Sequence, residues 1–553
     1  MKISYNWLKK YVDTTLTAEE IGVILTETGL EVESVEKIEA IKGGLEGVIV
    51  GEVLTCEKHP DADKLKVTTV ALGTEIVQIV CGAPNVAAGQ KVIVATVGCT
   101  IYPTPEEPLK IKVSKIRGVE SFGMLCAEDE LGLGKSHAGI LVLDPATPVG
   151  TKAAQLFELE DDYQLEIGLT PNRADAMGHI GVARDLIAYL NFHTKSTLTL
   201  KLPSVEQFKV NSTNLPISIA VENSELCPRY VGLSIENISV KPSPAWLQNS
   251  LRAVGISPIN NVVDCTNYVM RELGTPLHAF DAAKLNGKIE VKTAKEGAKF
   301  TTLDGVERTL SSSNLMITNG QDDLCIAGVF GGLESGISNE TTATFIESAY
   351  FNPVSVRKTA KQHNLNTDAS FRFERGVDPN LTVYALKRVA MLIQEVAGGE
   401  IAMNVAEYYP EIIENKTIEF NINRCNQLIG TEISSSDIKS ILTNLDIKIC
   451  AEKDAQLTLE IPAYRVDVTR EADVIEEILR IYGFNNIELS ETLGTDFISS
   501  FPEKEAENKN KVAISNASYQ IQFGFERANG TVYDPRHKDN YFDYGYIGKF
   551  NYT

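Results

Sequence analysis

Two hydrophobic periods alternate along the chain, which predicts a protein built from both helices and strands. A first helix is predicted after Thr17, because Thr17 and Glu20 have the spacing of a capping box. Ile21 and Leu25 continue it as an apolar stripe, and Gly29 is a natural helix end. The first forty residues therefore open a mixed α/β unit.

Residues 47–98 change to short apolar runs that are separated by Gly, Pro and Asn turns. The runs are GVIVGEVLTCEKH, KVTTVAL, EIVQIVCGA and KVIVATVG. Several short strands at this spacing are typical of a small barrel, and an OB-fold is the leading candidate. We expect this barrel over residues 39–152, inserted into an N-terminal α/β domain made of residues 1–38 and 153–200.

The remainder is predicted as further α/β domains. Residues 210–400 form the largest block, which ends in the helix VYALKRVAMLIQEVAGG before a glycine stop. A compact domain over 414–489 contains the helices SSSDIKSILTNL and EADVIEEILRIYGF. Residues 490–553 differ, because after about Asn516 they are dense in Tyr, Phe and Gly and have no helical period. The predicted fold class is multidomain α+β.

Composition is that of an ordinary folded protein, with 43% apolar and 23% charged residues among 553. No apolar run approaches the roughly 18–20 residues that span a bilayer. The start, MKISYNWLKKYV, has no apolar segment behind its lysines, so it does not resemble a secretory signal. We expect a cytoplasmic protein with no membrane partner.

Cysteine spacing and charge narrow the chemistry. The nine cysteines form no CxxC pair, which argues against a disulfide framework and a zinc site. A net charge of −22 disfavours a stand-alone nucleic-acid binder, because phosphate contacts need clustered Lys and Arg. An RNA partner would require a local basic surface or a second subunit. Charge alone favours a small-molecule enzyme.

Three groups of residues carry candidate chemistry, and the first is basic. It lies in HPDADKLKV and in the segment SKIRGVESFGM with its preceding residues. These side chains are able to line one face of the barrel and meet a phosphate backbone. The alternative is the ordinary solvated face of a small barrel. The candidates are Lys64, Lys66, Lys112, Lys115 and Arg117.

The second group is spread over GTPLHAFD, AGVFGG, FIESAYF and NTDASFRFERGVDP. Here His278 is suited to position a water or polarise an ester, and Glu347 to accept a hydrogen bond from a substrate hydroxyl. The order of residues does not support a Ser–His–Asp triad. The alternative is that His278 is a satisfied core histidine and Glu347 a structural partner of Arg372 or Arg375.

The third group is acidic and lies in YRVDVTREADVIEEI. Asp473, Glu476 and Glu477 are spaced to share one helix face, and Asp467 precedes the helix. Four converging carboxylates would suit Mg²⁺. The alternative is a first turn made acidic by the helix dipole.

These blocks, in this order, resemble the beta subunit of bacterial phenylalanine–tRNA ligase from Met1 to about residue 515. The likeness includes MKISYNWLKKYV, HPDADKLKV, TPNRADAMGHIGVARD, NYVMRELGTPLHAFD, FGGLESGISNETT, TDASFRFERGVDP and VDVTREADVIEEILRIYGF. It implies a tRNA-binding barrel, a B3/B4-type editing domain over 210–400 and a B5 domain over 414–489.

The resemblance also implies roles for single residues. In that family a Glu and a nearby backbone amide read the tyrosine hydroxyl of mischarged Tyr-tRNA-Phe, and a His and a Thr lie near the ester. The positions that match this editing pocket are His278, Gly331, Glu347, Thr367 and Ala369. The acidic positions Asp467, Asp473, Glu476 and Glu477 match a Mg²⁺ site shared with the alpha chain.

The partners implied are tRNA-Phe and an alpha subunit, in an (αβ)₂ heterotetramer in which ATP is bound mainly by the alpha chain. No DNA partner is expected. The likeness stops near Asn516, where the family continues into a catalytic-like domain. Residues 490–553 are therefore interpreted as the truncated start of that domain followed by an atypical aromatic tail. Two alternatives are an inert tRNA-binding scaffold and a free-standing trans-editing hydrolase.

Overall fold

A computed structural model describes residues 1–104, 107–133, 136–157 and 161–487, together with two short strands near the end of the chain. Contacts divide the chain into one unit over Met1–Ile487 and another over Glu488–Thr553. In the second unit the strands Thr531–Tyr533 and Tyr541–Asp543 pair antiparallel. Otherwise the predicted catalytic-like start and aromatic tail lie outside the described residues.

The N-terminal layer is a three-stranded antiparallel sheet whose middle strand is contributed late in the sequence. Its strands are Lys2–Ser4, Asp162–Ile167 and Val32–Ile38, and its helices are Tyr5–Leu8, Ala18–Glu27 and His179–His193. The predicted capping box is present, because Thr17 N donates to Glu20 Oε2 at 2.8 Å and Glu20 N to Thr17 Oγ1 at 3.2 Å. The chain leaves this layer at residue 38 and returns to it at 162.

The segment between these crossings forms a six-stranded antiparallel sheet. Its strands are Val48–His59, Ala62–Ala71, Ile76–Cys81, Lys91–Ala95, Met124–Leu125 and Val142–Leu143. Two small hairpins and a short helix complete it: Thr100–Thr104 with Glu107–Lys110, Ser114–Ile116 with Val119–Ser121, and Ala153–Leu156. The four predicted apolar runs are confirmed as strands.

The predicted OB-fold barrel is not confirmed. Within the described part of the segment, no strand ladder joins the two edges of the sheet into a closed barrel. Single hydrogen bonds do connect one edge strand to the second hairpin, since Phe122 N donates to Gln78 O at 2.8 Å and Val80 N to Ser121 Oγ at 3.1 Å. The edges therefore approach each other without forming a ladder.

Residues 218–408 contain two five-stranded sheets. One consists of Ser218–Val221, Lys288–Thr293, Leu315–Thr318, Asp323–Ile326 and Phe330–Gly331. The other consists of Leu277–Asp281, Ala343–Tyr350, Arg229–Glu236, Glu400–Ile401 and Ala406–Tyr408. The helices are Ala245–Ala253, Asn261–Leu273, Pro353–His363, Asp368–Phe373 and Thr382–Ala397, and a hairpin joins Lys299–Thr301 to Glu307–Thr309.

One hydrophobic core extends through the N-terminal layer and the 218–408 region. Trp7 lies at the junction, stacked on Tyr268 with ring centroids 4.1 Å apart and on His179 at 4.0 Å. Stacked aromatic rings bury much apolar area in a defined geometry. These two sequence regions consequently fold around shared side chains rather than around separate centres.

A smaller core lies in the C-terminal part of this unit. It packs the strands Lys416–Asn421, Lys448–Lys453 and Gln456–Ile461 against the helices Ile422–Ile429, Ser435–Asn444 and Glu471–Tyr482. Ser434 caps the second helix by accepting from Asp437 N at 3.1 Å. Ala188 and Phe192 of the long N-terminal helix join this core, so it is anchored to the N-terminal layer.

Candidate active site

The two residues predicted to act together, His278 and Glu347, are direct register partners on neighbouring antiparallel strands. Directly opposed residues of antiparallel strands project from the same face of the sheet and lie within contact range. On its other side Glu347 is opposite Gly232. The sheet therefore places a carboxyl and an imidazole side by side although their residues are 69 positions apart in the sequence.

Glu347 is a buried carboxyl with 5% of its surface exposed. Its Oε2 accepts a hydrogen bond from the Tyr230 hydroxyl at 2.9 Å. Burial raises the Glu347 pKa to about 8, and the Tyr230 hydrogen bond opposes that shift. The side chain is therefore largely protonated at neutral pH, which is unusual for Glu and typical of carboxyls at functional sites.

The alternative structural role of Glu347 is wrong. Arg372 bonds to Asp368 at 3.1 Å, and Arg375 bonds to Glu374 at 2.5 Å. Within the described residues, neither guanidinium forms an ion pair with Glu347. A buried carboxyl without a cationic partner costs free energy of folding, so its retention favours a functional interpretation.

His278 is not a satisfied core histidine. Its Nε2 is buried and has no hydrogen-bond partner within the described residues. The ring packs edge-on against Phe280, with centroids 4.4 Å apart. Burial lowers the His278 pKa to about 4, so the imidazole is neutral at physiological pH. A neutral ring with a free nitrogen is able to accept a hydrogen bond from water or a substrate hydroxyl.

Gly331 allows the His278 ring to pack closely against its backbone. A Cβ at this position would lie 2.9 Å from His278 Cε1 and 2.9 Å from Leu303 Cδ1, closer than ordinary van der Waals contact. The backbone conformation of Gly331 does not itself require glycine, since its φ is not positive. The absence of a side chain is what matters here.

Thr367 reaches the same region through the loop before Gly331. Its hydroxyl donates to Val329 O at 2.8 Å and accepts from Ser370 N at 3.0 Å, which caps the helix Asp368–Phe373. Ala369 lies half-buried in the first turn of that helix. The structure thus brings His278, Glu347 and Gly331 into direct proximity. Thr367 is linked to them through its hydrogen bond to Val329 O. Ala369 is near this group only because it lies two residues after Thr367, in the helix that Thr367 caps.

Three buried groups near Glu347 were missed by the sequence analysis. They are the Tyr230 phenol and the thiols of Cys227 and Cys325, whose pKa values are raised by burial and then by the Glu347 charge. Tyr230 lies in the strand RYVGLSIE, which reads as an ordinary buried strand. No sequence motif distinguishes it, and only the strand register identifies it as a neighbour of Glu347.

The predicted basic residues do not all behave alike. Lys66 donates to Val86 O at 2.7 Å and to Pro84 O at 3.4 Å, so its ammonium group is already hydrogen-bonded to the backbone of this domain. Lys64, Lys115 and Arg117 are exposed. His59 Nε2 lies 3.1 Å from Ile116 O, which holds the hairpin that carries Lys115 and Arg117 against the strand end near Lys64. Lys112 is exposed as well.

The expected convergence of four carboxylates is wrong. Glu477 is buried and bonds to Arg465 at 2.9 Å and Arg480 at 2.6 Å, which hold its pKa low against the effect of burial. Asp473 accepts from Arg470 N at 2.9 Å at the start of the helix, while Glu476 is exposed. Asp467 is half-buried, and burial followed by the Glu477 charge raises its pKa to about 6.

These four residues do not fit a Mg²⁺ site as they stand. Among the residues that the structure describes, no three His, Cys, Asp or Glu side chains are grouped as a metal ion requires. Mg²⁺ needs free carboxylate oxygens, whereas Glu477 and Asp473 are committed to arginines and to a helix N-terminus.

Comparison with known proteins places these sites in named domain families. A tRNA binding domain family matches residues 48–152, the B3/4 domain matches 226–398, and the tRNA synthetase B5 domain matches 418–484. The phenylalanine–tRNA ligase beta subunit of Bacteroides thetaiotaomicron is 53% identical over 95% of this chain and 64% of its own length. The chain belongs to the phenylalanine–tRNA ligase beta subunit family.

Other beta subunits agree with this assignment. That of Porphyromonas gingivalis is 52% identical over 89% of this chain and 60% of its own length, and that of Desulfotalea psychrophila is 42% identical over 98% and 64%. The chain thus spans about 60–64% of the length of these curated relatives. An N-terminal fragment of the Pyrococcus horikoshii beta subunit is 18% identical, covers 59% of this chain and 88% of its own, and has a TM-score of 0.31, too low to support an argument.

Each candidate group of this beta-subunit homologue falls within one of the matched domains. The five pocket residues lie in the B3/4 domain, the basic residues in the tRNA binding domain and the acidic residues in the B5 domain. The recognition made from sequence motifs is confirmed. Every helix in the described residues is too short or too polar to cross a bilayer.

Proposed function

We propose that this chain hydrolyses tyrosine wrongly attached to tRNA-Phe, at the pocket formed by His278, Gly331, Glu347, Thr367 and Ala369. The observation that carries the proposal is the register pairing of Glu347 with His278, each of which keeps a polar atom free of partners in the described residues. In this proposal Glu347 recognises the phenol of tyrosine, and His278 acts on the nearby ester.

Recognition rests on the hydroxyl that distinguishes tyrosine from phenylalanine. A pocket that only accommodates the extra hydroxyl discriminates weakly, whereas a pocket that hydrogen-bonds it rejects an analogue that leaves the buried polar group unpaired. Glu347 Oε2 is occupied by Tyr230, so Oε1 is the oxygen offered to the substrate. A phenol both donates and accepts, so it bonds to this carboxyl in either protonation state, but its bond to the ionised form is the stronger one, so the preference should change as Glu347 titrates.

Hydrolysis of an aminoacyl ester needs a positioned water more than a strong nucleophile, because the ester is already reactive. The neutral His278 imidazole accepts a proton or a hydrogen bond from that water at Nε2. The absence of a side chain at Gly331 lets the His278 ring lie directly against this backbone. Positioning of this kind accounts for large rate effects without covalent catalysis.

We also propose that the chain works with an alpha subunit in an (αβ)₂ assembly that attaches phenylalanine to tRNA-Phe, with ATP bound mainly by the alpha chain. The names of the curated relatives as ligase beta subunits and the tRNA binding domain match support this part. Co-purification with an alpha subunit from the same genome tests it, since failure of the two chains to associate would contradict it.

Removal of the Glu347 carboxyl tests the editing proposal. The Glu347→Ala variant is expected to hydrolyse Tyr-tRNA-Phe with a Tyr-over-Phe preference about 10- to 100-fold lower, because a hydrogen bond to a buried ionisable group is lost. The measurement is the deacylation rate of Tyr-tRNA-Phe and Phe-tRNA-Phe by the full chain. Glu340→Ala, which removes an exposed glutamate, is the control. An unchanged preference in Glu347→Ala would refute the role of Glu347.

The basic end of the six-stranded sheet gives a separate prediction about RNA affinity. Lys64→Ala and Lys115→Ala are each expected to weaken tRNA-Phe binding. Each should also reduce the slope of log Kd against log salt concentration by the amount that corresponds to about one phosphate contact. Lys66→Ala is the matched control, because its ammonium is already bonded to Val86 O. Filter binding over a range of salt concentrations measures both quantities. Equal effects of all three variants would show that Lys64 and Lys115 make no phosphate contact.

A further inference from the structure

We propose that Tyr230 is a positioning residue for editing: its phenol fixes one oxygen of Glu347, so that the other oxygen is presented to the tyrosine of the substrate. This inference rests on the proposed editing function. It assigns a specificity role to a residue of the 226–398 domain that lies outside the five predicted pocket residues.

The first support is the geometry of the bond. Tyr230 is fully buried, and its Oη lies 2.9 Å from Glu347 Oε2. Oε1 has no hydrogen-bond partner within the described residues. It is also not one of the fully buried polar atoms that lack a partner, so it is not completely enclosed by protein. The carboxyl therefore has one oxygen turned into the protein and one that remains reachable. A single rotamer is selected by the internal bond.

The second support is the local strand arrangement. Tyr230 is opposite Ala349, and Gly232 is opposite Glu347, so the Tyr230 hydroxyl reaches Glu347 diagonally. A Cβ at Gly232 would lie 2.1 Å from the Phe345 ring, which shows that this ring occupies the space above the glycine. Diagonal neighbours in a sheet are within reach of long side chains.

The third support is the chemistry of the surroundings. Cys227, Cys325 and Tyr230 are buried groups whose pKa values the Glu347 charge raises after burial, and none of them is a cation. His278, the register partner of Glu347, is neutral. The Tyr230 hydroxyl is thus the single described group that orients the carboxyl by hydrogen bonding. In this proposal the phenol of Tyr230 fixes the orientation of the carboxyl that recognises the phenol of the substrate.

The test is Tyr230→Phe, which removes one oxygen and keeps the ring that packs in the core. We expect kcat/KM for Tyr-tRNA-Phe to fall about tenfold and the slow hydrolysis of Phe-tRNA-Phe to stay constant. The pH at which the Tyr-over-Phe preference titrates should also move upward, because the Tyr230 hydroxyl lowers the Glu347 pKa. A purely structural role would change stability without moving this titration. An unmoved pH profile overturns the proposal.

A matched control comes from the same core. Tyr11 is also buried, and its hydroxyl donates to the buried carboxyl of Glu272 at 2.6 Å. Tyr11→Phe should lose a similar amount of thermal stability and leave both the preference and its pH dependence unchanged. If Tyr11→Phe alters editing as strongly as Tyr230→Phe, the effect is general destabilisation and the positioning role is overturned.

The double variant separates this inference from the proposed function itself. In the Glu347→Ala background, Tyr230→Phe should cause no further loss of preference, because its partner is gone. If Tyr230→Phe lowers the preference equally in both backgrounds, Tyr230 does not act through Glu347. If Glu347→Ala abolishes the preference and Tyr230→Phe does not change it, editing stands and the role of Tyr230 falls. If neither variant changes it, the editing proposal itself fails.

Discussion

Replacing Glu477 by glutamine is expected to lower the free energy of unfolding by about 3 kcal/mol, because it removes one of the buried carboxylates that neutralise Arg465 and Arg480. Glu477 is 3% exposed and bonds to Arg465 and Arg480. Arg480 also bonds to Asp185 at 2.9 Å, so the network connects the last helix of this unit to the long N-terminal helix. Urea denaturation followed by circular dichroism measures the loss.

The difference in unfolding free energy between the wild type and Glu477→Gln should depend on pH in a defined direction. The Glu477 pKa is lowered from 4.5 to about 2, so the stabilisation by the ionised form is complete above about pH 4.5. As the pH falls toward 2, wild-type Glu477 becomes protonated and the difference between wild type and variant should close. A difference that stays constant down to pH 2 would contradict the assigned ion pairs.

Two further comparisons make the test specific. Glu307→Gln breaks an exposed ion pair with Lys299, whose atoms lie 3.3 Å apart, and should cost less than about 1 kcal/mol. The stability of the wild type should be equal with Mg²⁺ and with a chelator, since Glu477 is held by arginines. A loss of stability on chelation that disappears in Glu477→Gln would identify Glu477 as a metal ligand instead.

Local elements of the fold were predictable from the sequence because their determinants are close in the chain. Thr17 and Glu20 define a helix start through bonds that span three residues. The helix Thr382–Ala397 follows from its apolar stripe and the glycine pair that ends it. The strands between residues 48 and 95 follow from alternation and turns.

Arrangements that depend on distant residues were not predictable in the same way. Spacing alone placed three carboxylates on one helix face, but Glu477 is paired with Arg465, which lies before the helix, and the network closes on Asp185, 295 residues from Arg480. Closure of the sheet depends on how far its edges curve toward each other, which apolar alternation does not encode. The sequence pattern therefore did not predict how the acidic group is paired, and the predicted barrel is not confirmed.

The candidate pocket shows the same division. Resemblance to a family assigned editing roles to His278 and Glu347, whereas the residues by themselves left ordinary core roles open for both. The register of two strands makes them neighbours. Tyr230 was missed because a buried tyrosine in an apolar strand is usually a packing residue, and its bond to Glu347 depends on a diagonal contact across the sheet.

Replacing His278 by alanine is expected to reduce the deacylation rate of Tyr-tRNA-Phe about 100-fold or more, with little change in KM. In the proposed mechanism the free Nε2 holds the attacking water, while Glu347 recognises the phenol. Because the His278 pKa is about 4, the wild-type rate should not show a histidine titration between pH 5.5 and 8, since the ring is neutral throughout. Single-turnover deacylation across this pH range measures both effects.

His363 provides the matched control, because it lies in the same domain, is also largely buried and has its Nε2 paired with Asn314 Oδ1 at 3.1 Å. His363→Ala should lower the melting temperature and leave the rate per folded molecule unchanged. The contrast depends on one physical difference between the two rings: the His363 nitrogen is satisfied by the protein, and the His278 nitrogen is not. Equal rates for His278→Ala and wild type would mean that the water is activated elsewhere, and the hydrolytic role of this ring would have to be abandoned.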